Sequence, residues 1–148
     1  MAKFVVGVDT NATPEQVLAA LTDFTDRRPE IWPGLSKEFY EVYEVGETSA
    51  TVREGSTKPT KVWAREHYDW SRPGVVRWEV LESNFSNSGS YVEARIAPGK
   101  NGGSHVEIEW NRTGATLGGR FIVAFMKMFG ARIIGPYARK ALDNYAAG

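Results

Sequence analysis

The chain contains no cysteine. Disulfides, thiolate metal sites and cysteine nucleophiles are thereby excluded. Its only histidines are His67 and His105, too few for a multi-histidine metal centre. Net charge is absent too, because 18 basic residues balance 18 acidic ones. Without a basic excess to neutralise a phosphate backbone, nucleic acid is not an expected partner. No long uninterrupted apolar run exists. The most apolar window, 117–135, carries Arg120, Lys127 and Arg132, which makes a membrane-spanning segment costly. Residues 1–7 hold one lysine and no apolar core, so no signal peptide is expected. These absences together suggest a cytoplasmic protein.

What is present suits one folded domain over 1–148. Hydrophobic residues make up 42% of the 148, enough for a real core. The C-terminal stretch 115–147 is the long run with helical periodicity. Leu117, Phe121, Ala124, Met128, Ala131, Ala138, Leu142 and Tyr145 recur at three- and four-residue steps, which predicts one helix face. A second row, Ile122, Phe125, Phe129 and Ile133, widens the stripe. Gly135-Pro136 predicts a kink, since proline removes a backbone donor and crowds the preceding turn.

Before that helix the chain reads mainly as strand. Residues 3–9 alternate, with Phe4, Val6 and Val8 on one side. Thr13-Pro14-Glu15-Gln16 then opens a short helix, with Thr13 as N-cap, Pro14 in the first turn and Gln16 closing a capping box. A second short helix is predicted over 24–32, with Arg27 and Arg28 exposed, and Pro33-Gly34 stops it. Six more strands follow, over 39–45, 49–54, 61–71, 75–82, 90–97 and 104–112, each ended by a Gly, Pro or Asn cluster at hairpin spacing. In the last three, Val76, Trp78 and Val80, then Val92, Ala94 and Ile96, then Val106, Ile108 and Trp110 alternate with charged residues. One face is therefore apolar and the other meets water. A seven-stranded twisted sheet curls. Wrapped round the terminal helix and plugged by the two short helices, it can enclose a cavity.

This order resembles the helix-grip fold of the START-like superfamily. Local sequence resembles the polyketide cyclase/dehydrase-like branch of its SRPBCC group. The matching stretches are Thr13-Pro14-Glu15-Gln16-Val17, Val62-Trp63-Ala64-Arg65-Glu66-His67-Tyr68-Asp69-Trp70-Ser71, Ser83-Asn84 and Leu117-Gly118-Gly119-Arg120. The class is α+β, a seven-stranded curved antiparallel sheet around a long C-terminal helix. The resemblance implies a cavity for a small apolar molecule between sheet and helix. Members are carriers, sensors, cyclases and hydratases, so the fold alone does not choose the chemistry.

Glu66 shares its strand face with Val62, Ala64, Tyr68 and Trp70, so the alternation points it inward. A carboxyl in an apolar cavity has a raised pKa, suited to a general acid or base. The competing reading is a structural ion pair, for instance with an arginine. Tyr68 could polarise a carbonyl from the same face. Tyr40, Tyr43 and Tyr91 read as sheet-packing tyrosines with surface hydroxyls. Trp78, Val80, Ile96, Ile108, Phe121, Phe125 and Met128 are the expected ligand-facing set, with Trp70 and Trp110 as wall or core and Trp32 with Leu35 as a lid. Asn84, Asn87 and Ser88 read as turn residues. His67 and His105 fall on charged faces without a nucleophile elbow, so a catalytic triad is rejected. Gly118-Gly119 and the glycines at 99–103 lack the layout of a nucleotide site. Gly118-Gly119 instead predicts close approach of the helix start to the sheet.

The leading expectation is carriage or sensing of a small hydrophobic molecule of lipid, polyketide or isoprenoid type, with no cofactor and no metal. An alternative is a cofactor-independent cyclase or dehydratase with Glu66 as acid/base and Tyr68 assisting. A protein-partner module is a third reading, and a homodimer stays open. Membrane-surface lipid transfer is a fourth. It requires exposed apolar residues near Trp32 or Phe129.

Overall fold

Alternating burial along the inner strands, clearest over Ser49–Ser56 and Tyr91–Pro98, builds one sheet, with Glu41–Val45 an exposed edge. The computed structural model describes residues 2–148. Strand β1 is Ala2–Thr10, followed by helices α1 (Pro14–Leu21) and α2 (Arg28–Ile31). Strands β2 (Glu41–Val45), β3 (Ser49–Ser56), β4 (Val62–Asp69), β5 (Val75–Ser83), β6 (Tyr91–Pro98) and β7 (Ser104–Arg112) come next, and helix α3 (Leu117–Ala147) ends the chain. The sheet order is β1-β7-β6-β5-β4-β3-β2, and every neighbouring pair is antiparallel. Consecutive hairpins give this meander, closed by β1 returning beside β7. It is the curved seven-stranded sheet that the turn spacing predicts.

Local chemistry sets the ends. Thr13 accepts from the Gln16 backbone while the Gln16 side chain accepts from the Thr13 backbone, the predicted capping box. The second helix is shorter than the predicted 24–32. The Asp23 carboxylate captures the backbone N–H and hydroxyl of Thr25, which holds the chain in a turn there. Asp69 ends β4 in the same way, accepting from the backbone and hydroxyl of Ser71. In β5 an extra residue, Leu81, bulges between the pairs Glu66–Val80 and Arg65–Glu82.

The convex face is polar. Glu93 pairs with Arg72, Arg77 and Arg95, and Arg95 also reaches Glu109. The Tyr91 hydroxyl donates to Glu109 on this face. His67 meets Thr51 and His105 meets Asp9, both exposed.

Two apolar clusters form the concave interior. One joins α1 and α2 to the sheet and the end of α3 through Val17, Leu21, Trp32, Val52, Ala138 and Leu142. The other joins Ala2, Val92, Trp110 and Val123. Trp78 and Ile108 touch both. The helix approaches the sheet through its small residues. A Cβ on Gly119 would fall 2.1 Å from the Phe85 carbonyl oxygen, and one on Gly130 2.4 Å from the Phe4 ring. Phe4 in turn stacks on Trp110 at 5.1 Å.

The inward set expected on α3 is corrected here. Phe121 and Met128 are 74% and 73% exposed, and Phe125 is exposed beside them. The buried positions of α3 are Gly119, Val123, Gly130, Ala138, Ala141 and Leu142. The predicted row is thus exposed as far as Ala131, buried at Ala138 and Leu142, and half-buried at Tyr145. Close helix–sheet approach selects small side chains, and large ones are displaced outward. The helix continues unbroken through Pro136.

Candidate functional site

A cavity of about 380 Å³ lies between the two clusters. That is within the usual range for small-molecule sites. Its wall is largely aromatic and aliphatic: Trp32, Leu35, Trp63, Trp78, Phe85, Val92, Ile108, Trp110 and Ile134. Trp78 stacks on Tyr68 at 5.0 Å, which fixes both rings. Trp32 is held by its indole N–H donating to the Ala20 carbonyl at 2.9 Å. The Tyr137 hydroxyl on α3 accepts from the Gly34 backbone at 3.0 Å, tying the helix to the segment after α2.

Besides Ser56 and Tyr137, five charged or hydroxyl-bearing side chains interrupt this wall in two groups. The first is closed on itself. Arg28 Nε donates to Glu54 Oε2 at 2.6 Å, Nη1 to the Leu21 and Asp23 carbonyls, and Nη2 to the Tyr68 hydroxyl. Tyr68 in turn donates to Glu54 Oε1. The Arg28 guanidinium also sits 4.4 Å from the Phe24 ring centre. Burial and the Glu54 charge push the Tyr68 hydroxyl well above its ordinary pKa. It remains a neutral donor committed to Glu54.

The second group is open. Glu66 is buried, 4% exposed, and Arg112 Nη2 donates to its Oε2 at 3.2 Å. Arg112 Nη1 donates to the Ser86 hydroxyl. Since β5 and β6 separate β4 from β7, the pair spans both strands, and Val80, the β5 partner of Glu66, is buried. Glu66 Oε1 has no hydrogen-bond partner among the described residues. Every fully enclosed side-chain polar atom there is partnered. Oε1 therefore opens on the cavity, where a guest could donate to it. Burial raises the Glu66 pKa from 4.5 to about 7, with Arg112 opposing the shift and the Glu54 charge adding to it. A carboxyl of that kind can both give and take a proton near neutrality.

Of the residues expected from the sequence, Glu66, Tyr68, Trp78 and Ile108 line the cavity. Val80 and Ile96 do not line it: Val80 is buried in the sheet, and Ile96 packs against the first cluster. Phe121, Phe125 and Met128 do not reach it. Trp110, Trp32 and Leu35 do, whereas Trp70 packs on Phe24 instead. Three residues were not expected. Arg28, which the sequence places on an exposed helix face, is 3% exposed, and the sequence does not single out Glu54 or Arg112. For Glu54 a signal existed: it shares an alternation with Ala50 and Val52. Asn84 clips the β4 and β5 ends together through Trp63 and Lys61. Among the described residues no group of three or more His, Asp or Glu could hold a metal ion. No described helix is long and apolar enough to cross a membrane.

Known structures share this architecture. The Zhui aromatase/cyclase of a Streptomyces species superposes with a TM-score of 0.78 at 15% identity, covering 98% of this chain and 93% of that one. A START superfamily protein from Mycobacterium smegmatis gives 0.77 at 10% identity, covering 99% and 98%. The KanY protein gives 0.72 at 26% identity, covering 99% and 97%. No curated protein matches the chain by sequence. The family described as polyketide cyclase / dehydrase and lipid transport matches residues 1–147. With that match over the whole helix-grip architecture, the chain belongs to this family.

Proposed function

We propose that the chain binds a small, mainly apolar molecule of lipid, polyketide or isoprenoid type for carriage or sensing. The observation that carries this reading is the cavity itself. Its wall is apolar over most of its extent, and one carboxyl oxygen opens into it. Trp78 and Ile108 supply apolar contact from the sheet, with Trp110 and Ile134 beside them, and Glu66 with Arg112 supplies the polar end. A guest with one hydroxyl or carbonyl group on an apolar body matches that distribution. Native mass spectrometry of recombinant protein tests it. A retained or titratable apolar guest is expected. Failure to hold any apolar probe would contradict it.

The pKa of Glu66 favours a second reading, a cofactor-independent cyclase or dehydratase. Glu66 would move the proton at Oε1. Tyr68 would act indirectly, because its hydroxyl proton is engaged by Glu54. A Glu66→Gln variant separates the readings: guest binding survives in a carrier, whereas turnover of a found substrate falls by about 100-fold or more. Unchanged turnover would remove the catalytic role.

A further inference from the structure

The first half of α3 presents large apolar side chains to solvent. Leu117 is 85% exposed, and Phe121, Phe125, Met128, Phe129 and Ile133 are exposed beside it. Leu117, Phe121, Phe125 and Met128 share the side opposite the buried Gly119, Val123 and Gly130, and the four-residue steps drift from there round the helix to Phe129 and Ile133. A contiguous apolar strip rimmed by charge marks an interaction surface. Its rim is of one sign. Arg120, Lys127 and Arg132 are exposed on the same stretch, and the first acidic residue of α3 is Asp143, paired with Arg139. The chain as a whole is neutral, so this is a local excess of positive charge.

We propose that this face of α3 docks the protein on an anionic lipid bilayer. The apolar row enters the interfacial region, and Arg120, Lys127 and Arg132 meet lipid phosphates. Charge complementarity selects this occupant over a second copy of the chain. A two-fold contact through the same face would set three cations against three, with no carboxylate between Leu117 and Leu142 to offset them. The row also runs on by four residues to Tyr137, which lines the cavity. A docked bilayer would border the cavity wall. The inference rests on the helix surface alone and stands whether or not the cavity takes a guest.

Flotation of the full chain with phosphatidylcholine vesicles, with and without phosphatidylglycerol, tests it. Binding is expected on the anionic vesicles and should be released by salt. Phe121→Ser with Met128→Ser should weaken it roughly tenfold. Replacing Arg120, Lys127 and Arg132 by glutamine should weaken it roughly a hundredfold. All five side chains are exposed, so circular dichroism should show both variants folded. Three results would overturn the proposal: no flotation on anionic vesicles, flotation insensitive to both variants, or a dimer in sedimentation that the Phe121→Ser change dissolves.

Discussion

Arg28 makes four hydrogen bonds from a site closed to water, so its charge is held by Glu54, Tyr68 and two carbonyls together. Removing one member leaves an uncompensated buried ion. Glu54→Leu should cost about 3–5 kcal/mol in urea unfolding. The double change Arg28→Met with Glu54→Leu should recover part of that loss, because neither charge is left alone. Additive losses would show that the two do not act as a unit. Glu66 behaves differently, since its neutral form is the one burial favours. Between pH 4.5 and about 7 the folded chain binds a proton that the unfolded chain has released. That contribution is complete below pH 4.5 and is lost as pH rises to about 7, on the order of 3 kcal/mol. Glu66→Gln cannot titrate, so its stability relative to wild type should rise across this interval. A flat difference would show that Glu66 is not held neutral. Alternation along β4 made the inward aim of Glu66 legible. Its partner was not, because Arg112 lies 46 residues away and three strands across the sheet. The burial of Arg28 was equally hidden, since a single short helical turn has no periodicity from which to read a face.

Helix α3 shows what periodicity can and cannot give. Its existence, length and place against the sheet follow from the spacing of apolar residues. Two adjacent apolar rows leave the inward direction undetermined, and the sheet resolves it in favour of glycine and alanine. The glycines at 118 and 119 carry that distinction into a testable pair. A Cβ at 119 meets the Phe85 backbone, whereas one at 118 meets nothing within 4 Å. Gly119→Ala should destabilise by about 1–3 kcal/mol, despite alanine's better helix propensity. Gly118→Ala should be neutral or stabilise by up to about 1 kcal/mol. Thermal unfolding of the two variants checks this, and equal effects would contradict the close approach. The capping box at Thr13 was fully legible, because both of its partners lie within one turn.

At the scale of the molecule, the meander, the helical plug and the covering helix leave a space that none of them fills. The chain order foretold that arrangement, but the position of the space depends on how two clusters fail to meet, which no local pattern encodes. Trp78 and Ile108 bridge the clusters and so mark the boundary of any guest. The most direct measurement is a titration of methyl-labelled protein with 1-naphthol, an apolar body with one hydroxyl, followed by NMR. Saturable shifts should concentrate on the methyls of Val92, Ile108 and Ile134, with Leu117 and Met128 unmoved. Shifts confined to Leu117 and Met128, or none at the three cavity methyls, would contradict a guest-holding interior.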